Sequence, residues 1–186
     1  GTVGSIAMSN VGRHRAATFR PRLIALSVAA CFGVSAQQAL ANPSGGTVAS
    51  GSASFASSAN TLTVTNTANA IINWQSFSIG VNEITRFLQS SASSAVLNRV
   101  VGAGGVIPQS VIDGILSSNG RVFLLNSSGI VFGASARIDV AGFVASSLNL
   151  SDQDFLSGRM HFTEVPGAGG ISNAGVIQAA SGGRVF

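Results

Sequence analysis

The 186-residue sequence has no lysine and no tyrosine, one cysteine, two histidines and one tryptophan, and only 9% of its residues are charged. Each shortage removes a class of function. Without lysine there is no P-loop to cradle a nucleotide phosphate. The single cysteine, Cys31, has no partner for a disulfide. Beyond His14 the only histidine is His161, which with the scattered acids leaves no zinc ligand set and only Asp152 and Asp154 as a weak calcium pair. A Ser–His–Asp set could be drawn from His161 and Asp152 or Asp154, but among so many serines that is coincidence. No catalytic residue, cofactor or metal is therefore assigned, and the expectation is a protein that is not an enzyme. What the chain does have is 23 glycines, 11 phenylalanines and many small or β-branched residues. That mixture suits closely stacked strands joined by tight turns.

The formal charge of +4 misleads, because four of the ten arginines (Arg13, Arg15, Arg20 and Arg22) stand in the first 22 residues. They precede the apolar run LIALSVAACFGV (23–34) and the small-residue site Ala39-Leu40-Ala41. This order of segments predicts a secretory signal peptide over residues 1–41, cleaved between Ala41 and Asn42, with residues 1–7 an over-extended start ahead of Met8. The run is too short for a permanent membrane span. Val28-Ala29-Ala30-Cys31 offers a competing lipobox-like site that would put a lipid on Cys31. Beyond residue 41, six arginines face six acids, so a nucleic-acid partner loses its electrostatic basis.

From residue 42 a Ser/Gly/Ala-rich stretch leads into short segments bounded by Gly, Asn or Ser. TLTVTNT (61–67) alternates with period two, and INWQSFSI (72–79), RVFLL (121–125), GIVFG (129–133), ARIDV (136–140), FVASSLNL (143–150) and AGVIQA (174–179) follow in similar style. Only SVIDGIL (110–116) hints at a helical period, and Pro108 and Gly114 argue against it. Gly-Gly-Arg-Val-Phe (182–186) echoes Asn-Gly-Arg-Val-Phe (119–123). Repeated strands with the same punctuation predict a solenoid, at roughly 20–25 residues per coil and about six coils, in preference to a sandwich. Phe186 stands in mid-strand, so the C-terminal edge is expected to be open and the chain to be the front of a longer protein.

In RVFLLNSSGIVFG (121–133) two apolar runs flank Asn126-Ser127-Ser128-Gly129. This is not a nucleophile elbow, which needs Gly-x-Ser-x-Gly. It is strong turn chemistry: Asn and Ser bond to backbone two residues on, and Gly supplies positive φ. An Asn at such a corner can also satisfy backbone groups of a neighbouring coil. VVGAGGV (100–106) mimics a dinucleotide loop but lacks its third glycine at Ile107 and has Pro108 where a helix should begin. Asn126-Ser-Ser and Asn149-Leu-Ser fit the glycosylation sequon at about chance frequency. Trp74, Phe77, Phe87, Phe123 and Phe132 are expected in the core with Phe143, Phe155 and Phe162; the alternative for Trp74 is an exposed carbohydrate platform.

In order, INWQSFSIGVNEITRFLQ (72–89), SAVLNRVVG (94–102), IDGILSSNGRVFLLNSSGIVFG (112–133) and GFVASSLNLSDQDF (142–155) resemble the secretion domain at the front of two-partner-secretion exoproteins, the filamentous-haemagglutinin and high-molecular-weight-adhesin family. The resemblance covers about residues 47–186. It implies an all-β, right-handed parallel β-helix, capped at its N-terminal end, that is not an enzyme. It further implies export to the periplasm by the general secretion machinery and recognition there, unfolded, by the periplasmic domains of a dedicated outer-membrane transporter. Folding then follows outside, at the cell surface or in the medium, as a template for downstream coils of an adhesin. Contact with a host receptor or glycan would belong to the region downstream. At the family's Asn-Pro-Asn-Gly-Ile corner, Asn126, Gly129 and Ile130 match while Ser127 and Ser128 depart; Asn98-Arg99-Val100 matches a second segment in full. Two rival readings are a surface binding module that itself contacts glycans or receptors, and the front of a secreted β-helix polysaccharide-active enzyme.

Overall fold

The computed structural model describes residues 42–186, so the expected leader, with Ala41 and the Cys31 site, lies outside the described residues. An opening pair, β1 (Thr47–Ser50) and β2 (Ala53–Ser58), precedes a series of coils. The first coil contains β3 (Thr61–Asn66) and β4 (Ala70–Trp74), and the second β5 (Ile84–Leu88), β6 (Ala95–Val100) and β7 (Ser110–Ile112). The third contains β8 (Ile115–Ser118), β9 (Arg121–Leu125) and β10 (Ile130–Phe132). The fourth begins with β11 (Arg137–Val140) and β12 (Gly142–Ser146), then leaves the stack through β13 (Asn149–Leu150), helix α1 (Asp152–Leu156) and β14 (Phe162–Thr163). It returns with β15 (Ile171–Asn173), and β16 (Val176–Ala179) opens the fifth.

These strands form three faces. The first runs β2-β3-β5-β8-β11-β16, the second β1-β4-β6-β9-β12, and the third β7-β10-β15. Every pairing between coils on these faces is parallel, while β1 lies antiparallel on β4 and β2 antiparallel on β3. The fold is thus a parallel β-helix closed at its N-terminal end by two antiparallel strands. On the first face the register runs Thr61, Ile84, Ile115, Arg137, Val176, giving steps of 23, 31, 22 and 39 residues. A period of 20–25 holds for two of these steps. The loop after β6 lengthens one step and the excursion between β12 and β15 lengthens another, so the stack has five rungs on this face instead of six coils.

Burial explains the strand patterns. The first face has one side in the lumen, where Leu62, Val64, Phe87, Leu116 and Ile138 pack, and one side in solvent, hence the alternation of TLTVTNT. Through β4, β6 and β9 the second face is buried on both sides. Val122 and Leu124 point into the lumen, and Phe123 and Leu125 join Ile71, Leu97, Leu150 and Phe155 in a second cluster beneath the excursion. A strand covered on both faces has no reason to alternate, which accounts for the unbroken RVFLL. SVIDGIL is two strands bent between Ile112 and Ile115.

The aromatic expectations divide between the two cores. Trp74, Phe77, Phe87 and Phe132 lie in the lumen and Phe123 in the outer cluster. Phe77 stacks on Phe87 at 6.5 Å, and Trp74 meets Phe77 edge-on at 5.7 Å. Trp74 is 1% exposed, so it cannot be the carbohydrate platform considered from the sequence. Phe55 of the cap meets the Trp74 ring at 5.5 Å and closes that end of the lumen.

Candidate functional site

The step at residues 126–129 is a corner held from both sides. The Gly129 N–H donates to Asn126 O at 2.9 Å, and the Ser128 N–H donates to Asn126 Oδ1 at 2.9 Å, so one residue closes two turns. Asn126 Nδ2 donates to Pro108 O and to Ser110 Oγ, both at 2.9 Å, and Ser128 Oγ donates to Ile107 O at 2.6 Å. These partners belong to the preceding coil. Toward the next coil, Gly169 N–H donates to Ser127 O at 2.8 Å and Ile130 N–H to Gly170 O at 3.1 Å. Gly129 sits at φ +96°, and a Cβ there would lie 2.6 Å from Gly170 O, so the position needs glycine twice over. Asn126 is 1% exposed and Ile130 is in the lumen; Ser127 and Ser128 are half-buried.

Asn98, Arg99 and Val100 end β6, with Arg99 in register opposite Leu125, one residue before the corner. Their side chains go separate ways. Asn98 is fully buried: its Oδ1 accepts the Trp74 indole N–H at 2.9 Å and its Nδ2 donates to Phe123 O at 3.3 Å, linking three successive coils. Val100 fills the lumen. Arg99 points outward and donates to Asn73 Oδ1 (3.3 Å), Leu150 O (2.6 Å) and Asp152 Oδ1 (2.7 Å), fastening the excursion to the stack. The two motifs do converge: Arg99, Val100 and Ser127 border one groove of about 350 Å³, with Leu148, Asn149 and Glu164 across it.

Three structural groups were not foreseen from the sequence. Asn119 brackets Gln89, accepting from its N–H at 2.8 Å and donating to its C=O at 2.7 Å; the Asn-Gly punctuation at 119–120 was the only signal. Asn42 accepts from the buried Thr85 hydroxyl at 2.9 Å and donates to Asn60 O at 2.9 Å, so the residue after the expected cleavage point is already part of the stack. Helix α1 begins at Ser151, whose Oγ accepts from Asp154 N–H and donates to Asp154 Oδ2. The Ser-x-x-Asp spacing is a capping-box variant and was legible. Ser151 and Arg159 hydrogen bonds, with the Arg159 and His161 charges, outweigh desolvation and hold the Asp154 carboxyl below its ordinary pKa, the Ser151 bond contributing most.

His161 stands 3.8 Å from Asp154, and Ser151 gives its hydroxyl hydrogen to that same carboxylate. The acid lies between hydroxyl and imidazole, whereas a nucleophilic set needs the imidazole between them. Among the described residues no group of three or more His, Cys, Asp or Glu side chains could hold a metal ion.

What the geometry defines, over the described residues, is a coil stack capped at its N-terminal end in which the motif side chains hold coil to coil. The family comparison agrees. Residues 37–185 match the TPS secretion domain, and the chain belongs to that family, the secretion domains of two-partner-secretion exoproteins. A heme/hemopexin-binding protein of Haemophilus influenzae is 37% identical over 109 residues, which are 58% of this chain and 12% of that protein. A second H. influenzae protein of the same name is 35% identical over 94 residues, 50% of this chain and 10% of the relative. The crystal structure of the HMW1 secretion domain from H. influenzae superposes with a TM-score of 0.69 at 37% identity, covering 73% of this chain and 36% of that one.

Proposed function

We propose that residues 42–186 are the export address of a secreted or surface-held exoprotein, presented unfolded in the periplasm to the recognition domains of a dedicated outer-membrane transporter. Once outside, they fold into a template on which later coils stack. The family membership supports the transporter partnership. The observation that carries the unfolded step is the fate of the motif side chains. Asn126 spends its side-chain hydrogen bonds on Pro108, Ser110 and Ser128, and Asn98 on Trp74 and Phe123, both out of solvent. A transporter that reads these residues must therefore meet them before the coils close. Adhesion, or capture of a host protein such as the relatives' names describe, would lie beyond this domain, which itself carries no enzymatic step.

The test is secretion of the chain by a Gram-negative host with and without its cognate transporter. Asn126→Ala would be compared with Leu116→Ala, a lumen truncation outside both motifs. Transporter-dependent appearance in the medium, lost in Asn126→Ala but kept in Leu116→Ala, is the expected result. Equal loss in both variants would confine Asn126 to the fold, and export indifferent to the transporter would overturn the reading.

A further inference from the structure

The outward side of the first face carries an order that the lumen does not require. Its three middle strands, β5, β8 and β11, are each paired on both edges. Burial alternates along them, so Ile84, Arg86, Ile115, Ser117, Arg137 and Asp139 point away from the lumen. The register sorts these six into two columns, Ile84–Ile115–Arg137 and Arg86–Ser117–Asp139. In the second column an arginine and an aspartate stand one rung to either side of a serine, about 10 Å apart along the stack. Among the described residues the ion pairs are those of Asp152 with Arg99 and of Asp154 with Arg159 and His161, so Arg86, Arg137 and Asp139 have none. All three are exposed, and Ile115 between them is 36% exposed.

Isolated surface charges need no partner, but this column is complementary to itself. A two-fold axis parallel to β8 and just outside the face reverses the order of the rungs while keeping position along each strand. A second copy brought in through it sets Arg86 against the partner's Asp139 and Asp139 against the partner's Arg86. Ser117 then lies on its own counterpart, as does Ile115, and the aliphatic stem of Arg137 covers Ile84. Packed sheets stand about 10 Å apart, a gap that an extended arginine and an aspartate fill together. A crossing angle of about 30° would shift a strand one rung from the axis by only about 2–3 Å, within an arginine's reach. The five rungs offer roughly 400 Å² of flat area from each copy, less than a permanent dimer uses, so the contact is weak and reversible. We propose that two copies of this domain associate through their first faces with coil stacks antiparallel, joined by reciprocal Arg86–Asp139 ion pairs about a two-fold along β8.

Sedimentation equilibrium of the full chain over a dilution series reads the association, and a reversible monomer–dimer equilibrium is expected. Arg86→Glu and Asp139→Arg each place two like-charge pairs in the contact and should each weaken the dimer at least tenfold. Both positions are exposed, so the Trp74 emission that reports the folded stack should not change. An equimolar mixture of the two variants should recover the dimer, because each reversed charge then meets its opposite across the axis. The double variant Arg86→Glu/Asp139→Arg should recover it alone. Association through any other surface would ignore these exchanges. A chain monomeric throughout the series, a dimer indifferent to the single variants, or single variants that stay apart when mixed would each overturn the proposal.

Discussion

Asn98 holds Trp74 from one coil away: the indole N–H donates to its Oδ1 at 2.9 Å, and both residues are sealed from water. Because Asn98 Nδ2 continues to Phe123 O, this one amide ties the first, second and third coils along the second face. A buried polar group left without its partner costs about 1–3 kcal/mol. Asn98→Ala strands the indole N–H and opens a small cavity, so a loss of about 2–4 kcal/mol is expected. Urea unfolding followed by Trp74, the only tryptophan, measures it directly. A loss below about 0.5 kcal/mol would mean that the amide is not a structural link.

Arg99 bears on a different part of the molecule. Its guanidinium is shared among Asn73, Leu150 O and Asp152, a planar fork that a lysine ammonium cannot reproduce. The ion pair is partly exposed, with side-chain exposures of 19% and 47%, so its global worth is modest, about 1 kcal/mol or less. Arg99→Lys should leave the unfolding midpoint nearly in place and loosen the excursion selectively. Faster amide exchange across residues 149–157, with β4 and β9 unchanged, is the expected pattern. A uniform rise across all coils would instead place Arg99 in the global fold.

How much of this could be read from the sequence depended on whether the cause was local. Corners announced themselves because Asn, Ser and Gly carry turn chemistry in their own side chains and backbone, as at Asn119-Gly120 and Asn126–Gly129. Strands with one wet side, such as β3, announced themselves by alternation. The cap strand β2 did not, because ASFASS is nearly all exposed and small and its strand character comes from pairing with β3. The coil count failed for a related reason. The loop after β6 and the excursion after β12 stretch two coils without disturbing the register of those around them, and register is a property of the stack. At the candidate site the motif residues were identifiable, but not that Asn98 and Asn126 face inward while Arg99 faces out.

The cap of α1 should respond to acid. The Asp154 carboxyl titrates below its ordinary value chiefly because the Ser151 hydroxyl donates to it, with Arg159 and His161 adding to the effect. A folded-state pKa below the unfolded one stabilises fully above the unfolded value, and the contribution is lost as pH falls through the folded one. The helix therefore keeps its cap at neutral pH and releases it only below the usual aspartate range, near pH 4. Carboxyl titration by NMR should show Asp154 moving back toward the ordinary value in Ser151→Ala. An unchanged titration would transfer the effect to Arg159 and His161.

Ser127 and Ser128 are the two corner residues that differ from the motif expected from the family resemblance, and the turn geometry says what each does. Ser127 occupies the second position of a four-residue turn closed by Gly129 N–H on Asn126 O, the position at which proline is favoured. Its carbonyl is engaged by Gly169, whereas the inter-coil and turn bonds at this corner use no Ser127 N–H, so proline would remove no donor that the fold uses there. Ser127→Pro should therefore stabilise the domain by about 0.4–1 kcal/mol by restricting the unfolded chain. Ser128 is a different matter, because its hydroxyl donates to Ile107 O at 2.6 Å and its N–H to Asn126 Oδ1; Ser128→Ala should cost about 1 kcal/mol. The pair separates stability from recognition. If the transporter reads Asn126 and the backbone of this corner in the unfolded chain, secretion of Ser127→Pro should match that of the parent despite the higher unfolding midpoint. A gain in transporter-dependent secretion out of proportion to so small a change in stability would show instead that the proline is itself read, and that Ser127 weakens the address.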